Sequence, residues 1–203
     1  MSLLKFVTHE LFKRRFIFYI QNHVRLLSIE DIDNVSQYFF DSHIGEYNEF
    51  LGVARQFNDL NISKTFLLIH KDADELLAYM TLSCDSIKLT GEEKELHEIA
   101  KVPYASIPAL KVGKLAVNKE LSSGVKRKGY GSFLLEIARG YAFRMNELGV
   151  ACRFLTVDAD IEYDTNTPLF YEKNGFVENL GNKKRNPRHT ISMRKDIFAE
   201  EKI

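Results

Sequence analysis

The amino-acid sequence predicts one α/β domain. Strand-like apolar runs alternate with amphipathic helical patterns along the chain, an order typical of α/β proteins. The 203 residues are 45% hydrophobic and include 15 Phe and 9 Tyr, which is enough apolar material for a sizeable core. The chain contains no internal repeat, low-complexity segment or Pro/Gly-rich linker, so we expect residues 1–203 to form a single domain.

The N-terminal half is predicted to contain strands, two helices and a hairpin. Ser28, followed three residues later by Asp31, suits the start of a helix. The polar stretch 72–75 between two apolar runs indicates a hairpin turn. The expected elements are strands at 15–21 and 23–27, helices at 28–40 and 44–57, and hairpin strands at 65–69 and 76–83.

The C-terminal half contains the strongest helical pattern. Apolar residues fall on one face from Phe133 to Met145, and Gly149 is the expected stop. Thr167 and Pro168 favour the start of a second, short helix, because Thr caps helices and Pro suits the first helical position. The remaining expected elements are a short helix or loop at 92–100, the central strand at 110–117, and strands at 151–159 and 190–197.

A basic, glycine-containing loop precedes the long helix. Two glycines spaced by one residue let the backbone approach a ligand closely, and the N–H groups that begin a helix hold anions. A Walker loop is excluded because Tyr130 and Gly131 follow Gly129, and a dinucleotide fingerprint is excluded because residue 134 is Leu. The pattern predicts a phosphate site; the alternative is a simple helix cap. The residues are Lys126, Arg127, Lys128, Gly129, Tyr130, Gly131 and Ser132.

Three motifs in order resemble the acetyl-CoA-binding core of the GNAT (Gcn5-related) N-acetyltransferases. They are the strand 107–118, the loop 126–131, and the run 168–176, which is similar to the family's Phe/Leu-Tyr-x-x-x-Gly-Phe signature. Upstream, the run 46–51 and the two hairpin strands resemble the branch that contains toxins acetylating aminoacyl-tRNA. The resemblance therefore covers a core at 46–197, preceded by an N-terminal segment at 1–45 with the first strand and helix.

The resemblance implies a fold and a site. The fold is a single GNAT domain whose central sheet is mixed, mostly antiparallel, with about six to seven strands flanked by helices. Residues 126–132 would bind the pyrophosphate of acetyl-CoA, although the family has Gln or Arg where Lys126 stands and its loop is shorter. Backbone N–H groups of Leu115, Ala116 and Val117 would hold the thioester oxygen, Asn166 would contact the cofactor, and Tyr171 would be the general acid.

A general base is not evident from the sequence. The central strand has no Asp or Glu between 110 and 117, and Asp158 and Asp160, at the end of the next strand, are the nearest candidates. Their alternative role is a solvated strand end, and that of Tyr171 is a core aromatic residue. Without a strong base, an α-amino group with a pKa near about 7.7–8.0 is a better acceptor than a lysine near about 10.4.

We therefore predict an acetyl-CoA-dependent N-acetyltransferase acting by direct attack of a primary amine in a ternary complex, with a small-molecule or peptide acceptor. One alternative is toxin-like acetylation of charged tRNA, which the balance of 28 basic and 28 acidic residues disfavours. The other is a non-catalytic protein that binds acyl-CoA or a partner. The best candidate tRNA contacts are Lys183, Lys184, Arg185 and Arg188.

Composition and residue spacing also predict the location of the protein, the burial of its cysteines and the absence of a metal. No apolar run reaches the ~20 residues that span a bilayer, so we expect a cytoplasmic protein without membrane contact. Both cysteines, Cys84 and Cys152, lie in apolar runs and are predicted to be buried. The histidines show no metal-ligand spacing, so no metal is expected. A homodimer is a possible assembly.

Overall fold

A computed structural model of the protein describes residues 23–125, 129–182 and 189–199. The expected strand at 15–21, the loop residues Lys126, Arg127 and Lys128, and the basic cluster Lys183, Lys184, Arg185 and Arg188 lie outside these described residues. The described strands are β1 (Val24–Ser28), β2 (Lys64–His70), β3 (Leu76–Lys88), β4 (Ser106–Val117), β5 (Phe154–Asp160), β6 (Val177–Glu178) and β7 (Thr190–Asp196).

These strands form one seven-stranded mixed sheet in the order β1-β2-β3-β4-β5-β7-β6. The pairs β1/β2, β2/β3, β5/β7 and β6/β7 are antiparallel. Strands β4 and β5 are parallel, with Ala109 opposite Phe154 and Val112 opposite Val157. The α-helices among the described residues are α1 (Gly45–Asp59), α2 (Gly91–Leu96), α3 (Tyr130–Glu147) and α4 (Thr167–Lys173). The predicted fold class, a mixed and mostly antiparallel sheet with flanking helices, is confirmed.

The chain divides into two compact units, whose described parts are 23–83 with 113–125 and 129–140, and 84–112 with 141–182 and 189–199. In the first unit, α1 buries Leu51 and Ala54. Both belong to a core that also contains Tyr79 and Ala116. Helix α1 therefore packs on the β-strands of its own unit, and the helix predicted at 44–57 is confirmed.

The helix predicted at 28–40 is wrong. Two short 3-10 helices stand there instead, Ile29–Asp31 and Val35–Gln37. Ser28 does begin the first one, because its hydroxyl accepts the Glu30 N–H and its own N–H donates to the Asp31 carboxylate. The Asn34 side chain then accepts the Ser36 N–H and starts a new turn. Asn side chains that bond to the nearby backbone compete with helical hydrogen bonding, so the segment forms two turns.

The second unit has its own apolar cluster, formed by Ile87, Leu89, Ile107, Ala109 and Phe154. The burial predicted for Cys152 is confirmed, but the same prediction for Cys84 is wrong. Beyond residue 82, alternate side chains of β3 are exposed, as in any strand with one face toward solvent, and Cys84 lies on that exposed face.

Within the described ranges, no helix combines the length and the apolar character needed to cross a membrane.

Candidate functional site

Helix α3 begins at the predicted phosphate loop. Gly129 precedes its first residue, has φ +92°, and its carbonyl accepts the Phe133 N–H at 3.0 Å. A positive φ of this size suits glycine, since other residues are strained there. Gly129 is exposed, so a ligand can approach the backbone at the start of α3 beside a residue without a side chain.

The other described loop residues anchor the helix. Tyr130 is 1% exposed, Gly131 is buried and Ser132 is half-buried. They are followed by the buried residues Phe133 and Leu134, which begin the apolar face that the sequence predicted. Gly129 is thus the exposed member of the described part of the loop, and an 18-residue helix directs the positive end of its dipole toward it. This arrangement fits a diphosphate group.

Just before the residues predicted to hold a thioester oxygen, β4 makes a close contact with a side chain of β3. The Lys114 N–H donates to the Thr81 hydroxyl at 2.8 Å, so a side chain takes a bond that a regular ladder gives to a carbonyl. A Cβ atom at Gly113 would lie 2.9 Å from the same hydroxyl, so only glycine fits without a shift. Ala116 is buried in the core of its unit, whereas Leu115 and Val117 are half-buried.

A charged and aromatic cluster that the sequence analysis missed adjoins this segment. Lys114 Nζ lies 2.5 Å from Glu46 Oε1. The same ammonium lies 4.8 Å from the ring centre of Tyr47 and 5.5 Å from that of Phe50. The Tyr79 hydroxyl donates to the Tyr47 carbonyl at 2.7 Å. The first turn of α1 is therefore held against β3 and β4 by an ion pair, cation–π contacts and a half-buried hydrogen bond.

Tyr171 lies on α4, the helix predicted to begin near Pro168. It is 7% exposed, and its ring contacts Phe170 and Phe176 with centroid distances of 5.1 and 5.5 Å. Burial raises the pKa of Tyr171 well above 10, and the negative charges of Asp160 and Asp158 raise it further. The phenol is therefore fully protonated at neutral pH. Among the described residues, none hydrogen-bonds to its hydroxyl group.

The start of α4 differs in detail from its prediction. Pro168 occupies the first turn as expected, but Asn166 is the capping residue and its side chain makes no capping bond. The Thr167 hydroxyl donates to the Asp164 carbonyl at 2.8 Å, and the Asn166 N–H donates to the Asp164 carboxylate at 2.8 Å. The Asn166 side chain is exposed at this turn.

The two base candidates have other partners in the structure. Lys111 Nζ lies 2.6 Å from Asp158 Oδ2. The Asp160 carboxylate accepts the Glu162 N–H at 2.9 Å, closing the turn after β5. Both residues therefore fit the alternative role given in the sequence analysis, that of a solvated strand end.

One group of potential metal ligands lies at the hairpin. His23, His70 and Asp72 each offer an atom within 4.8 Å of the others. Sequence spacing could not indicate this group, because the β1/β2 pairing places Val24, next to His23, opposite His70. His70 Nδ1 accepts the Ala73 N–H at 3.1 Å, and that lone pair cannot also bind a metal. This bond and the 3.1 Å contact of His23 Nδ1 with Asp72 Oδ2 hold the hairpin turn.

Similarity to solved structures identifies the fold. No protein-family profile matches the chain, and no curated protein sequence is similar to it. Solved structures do match. A Tyr-to-Phe mutant of KacT has a TM-score of 0.63 at 21% identity, covering 84% of this chain and 94% of its own. AtaTR bound with acetyl-CoA has a TM-score of 0.62 at 20% identity, covering 84% and 93%.

A third structure, AtaT complexed with acetyl-methionyl-tRNAfMet, has a TM-score of 0.61 at 18% identity and covers 83% of this chain and 93% of its own. AtaT is described as a toxin that binds the antitoxin AtaR. At this level of identity the likeness establishes the fold. The chain therefore has the GNAT fold, as its sequence motifs predicted.

Proposed function

We propose that the protein is an acetyl-CoA-dependent N-acetyltransferase whose acceptor is the amino group of an aminoacyl-tRNA. The observation that carries this proposal is the likeness to AtaTR with acetyl-CoA and to AtaT with acetyl-methionyl-tRNAfMet, over more than four-fifths of this chain. These two structures hold the proposed acetyl donor and an acetylated aminoacyl-tRNA.

The comparisons favour this acceptor over the small-molecule or peptide amine that the sequence analysis placed first. The balance of 28 basic and 28 acidic residues was the argument against tRNA. A whole-chain balance describes total charge and not its distribution, so a local contact surface is compatible with it. The weak basicity of an α-amino group also suits a site without a strong base on β4.

In this proposal the start of α3 binds the diphosphate of acetyl-CoA. The support is the exposed Gly129 with φ +92°, at the N-terminus of an 18-residue helix. N–H groups at such an end bind phosphates through hydrogen bonds and the helix dipole. Side chains other than glycine at position 129 would strain the backbone and fill the approach to these groups.

The C-terminal part of β4 would hold the thioester. When bound, acetyl-CoA supplies an acyl group activated by its thiol leaving group. Backbone N–H groups of Leu115, Ala116 and Val117 would donate to the carbonyl oxygen as it becomes negative. This assignment is supported by the pairing of β4 with β5, which ends at Val112, before these residues.

Tyr171 would supply the proton that the leaving thiolate takes. Burial and the charges of Asp160 and Asp158 raise its pKa, so the phenol carries its proton at neutral pH. A donor must be protonated before each turnover, and Tyr171 meets that condition, although its raised pKa also makes the phenol a weaker acid. Asn166 remains a proposed cofactor contact, supported by its exposure at the start of α4.

Two measurements test the function. Calorimetry with acetyl-CoA should show binding by the purified protein. Thiol release should then be fast with charged tRNA and slow with uncharged tRNA, with a peptide that has a free N-terminus, and with simple amines. If thiol release is as fast with the peptide as with charged tRNA, the acceptor is a primary amine in general. If the protein does not bind acetyl-CoA, the enzymatic proposal is contradicted.

A further inference from the structure

Glu46 is the carboxylate that contacts the residue next to the proposed thioester site. It lies in the first turn of α1, and its Oε1 is 2.5 Å from Nζ of Lys114, the residue before Leu115. Its side chain is 58% exposed, whereas that of Lys114 is 23% exposed. The carboxylate is therefore held at a fixed place and still faces solvent.

The packing of α1 places this carboxylate over the same stretch of β4. Ala116 lies in one apolar core with Leu51 and Ala54 of α1. Lys114 and Ala116 are two residues apart in a strand, so their side chains share a face. The face of β4 that carries Lys114 and Ala116 is thus the face against which α1 packs.

We propose that Glu46 binds the ammonium form of the acceptor amine and takes its proton before attack on the thioester. This inference rests on the proposed function. Glu46 would be the general base of the reaction. The sequence analysis named Asp158 and Asp160 as the nearest candidates, but Asp158 pairs with Lys111 and Asp160 bonds to the turn after β5. Carboxylates bind ammonium groups by charge-assisted hydrogen bonds, so the same side chain both orients the acceptor and activates it.

The acceptor ammonium gives one proton to the Glu46 carboxylate and becomes a neutral amine. The amine nitrogen forms a bond to the thioester carbonyl carbon, and the bond from that carbon to sulfur breaks. The departing thiolate takes a proton from Tyr171, the new amide nitrogen releases its second proton to water, and Glu46 passes its proton to solvent through its exposed face. Tyr171 recovers its proton from water.

Lys114 is the positioning residue in this proposal. Its ammonium is fixed by the rings of Tyr47 and Phe50, and it contacts one oxygen of Glu46, Oε1. An acceptor ammonium would reach the carboxylate from its solvent-exposed side. Without Lys114 the carboxylate would keep its chemistry but lose its fixed orientation, because long acidic side chains at a helix start are otherwise free to change rotamer.

The pH profile of Glu46→Gln tests the proposal. Transfer from acetyl-CoA to charged tRNA is measured as kcat/KM for the tRNA, from the pKa of the acceptor amino group to about two pH units below it. The wild type binds the ammonium and removes its proton, so its kcat/KM stays nearly level. The variant needs an amine that is already neutral, so its kcat/KM should fall about tenfold per pH unit below the acceptor pKa. At the acceptor pKa, the loss should be about 10²-fold or more.

Three controls separate this role from a structural one. Glu49→Gln changes an exposed carboxylate of the same helix and should leave kcat/KM and its profile unchanged. Lys114→Met should lower kcat/KM by less than Glu46→Gln and keep the level profile. Affinity for acetyl-CoA, measured by calorimetry, should be the same in all variants.

A Glu46→Gln variant with wild-type kcat/KM, or with the same fold loss at every pH, would overturn the proposal. Failure of the wild type to release thiol with any acceptor would overturn the proposed function itself and this inference with it.

Discussion

Arg194 and Glu93 form an ion pair in the interior of the second unit. Arg194 Nη1 lies 2.6 Å from Glu93 Oε1, and each side chain is 2% exposed. Glu93 also accepts the Leu180 N–H at 2.8 Å and the Thr90 N–H at 2.7 Å. Burial alone would raise the pKa of Glu93, but these N–H donors and the Arg194 charge hold it below its ordinary value. The pair joins α2 to β7 and to the segment after β6.

Replacing Arg194 by Met should lower the free energy of unfolding by about 3–5 kcal/mol, because it leaves the Glu93 carboxylate buried without its counter-charge. Urea unfolding at neutral pH measures this. Arg144→Met is the matched control, since its pair with Glu147 is about half exposed, and it should cost about 1 kcal/mol or less. Equal losses in the two variants would show that the Arg194 pair is not a buried one.

Acid should destabilise the second unit through Asp196. Burial alone would raise the pKa of Asp196, but hydrogen bonds from His97, from the Phe198 N–H and from Arg153 lower it. A carboxyl group with a lowered folded-state pKa stabilises the protein above its unfolded value, near about 3.9, and loses that contribution as pH falls through the folded-state value. The free energy of unfolding should therefore drop below about pH 4.

Urea unfolding at a series of pH values tests this expectation. Asp196→Asn should be less stable than the wild type at neutral pH and should lose less stability on acidification. Asp33→Asn, at an exposed position, should keep the wild-type dependence. An Asp196→Asn variant with the wild-type dependence on pH would assign acid sensitivity to other carboxyl groups.

Much of the fold could be predicted because its signals are local. The apolar face of α3, the stop near Gly149 and the hairpin around 72–75 all depend on residues close together in the sequence, and each stands in the structure. The 28–40 segment failed because Ser28 is a genuine helix start whose helix ends after one turn. Competition by Asn34 acts over the same short range as the helix signal, and residue patterns do not show which bond wins.

The residues of the candidate site also differ in how far the sequence alone could predict them. Gly129 and the start of α3 follow from neighbouring residues, so sequence reasoning placed them correctly at a helix start. Glu46 and Lys114 are 68 residues apart, and only the packing of α1 on β4 brings them together. A contact of that separation leaves no periodic signal in a single sequence, so residue patterns could not indicate the Glu46–Lys114 pair.

Gly129→Asp should weaken acetyl-CoA binding by about 100-fold or more, equivalent to about 2.7 kcal/mol, because it adds a negative charge and a side chain where the diphosphate would approach. Calorimetry on folded protein measures the affinity. Gly124→Asp is the matched control: Gly124 also has a positive φ, +97°, so the backbone strain is similar, but it does not precede a helix. A parallel loss in both variants would point to a general effect on the loop.

Tyr171→Phe should lower kcat by about 10²–10⁴-fold, the usual contribution of a general acid, and leave acetyl-CoA affinity unchanged. The variant keeps the ring contacts with Phe170 and Phe176 and removes only the hydroxyl group. Tyr104→Phe, at a tyrosine that is 72% exposed, should retain full activity. A Tyr171→Phe variant with near-normal kcat would return Tyr171 to a purely packing role.

The central claim, acetyl transfer to aminoacyl-tRNA, is tested most directly by mass spectrometry of the aminoacyl-adenosine released by nuclease from charged tRNA after incubation with the protein and acetyl-CoA. The account predicts an added acetyl group on the aminoacyl moiety, absent when Tyr171→Phe replaces the wild type over the same short reaction time. The claim would be contradicted if the aminoacyl-adenosine stays unmodified while the same protein binds acetyl-CoA and acetylates a peptide or small amine in a parallel reaction.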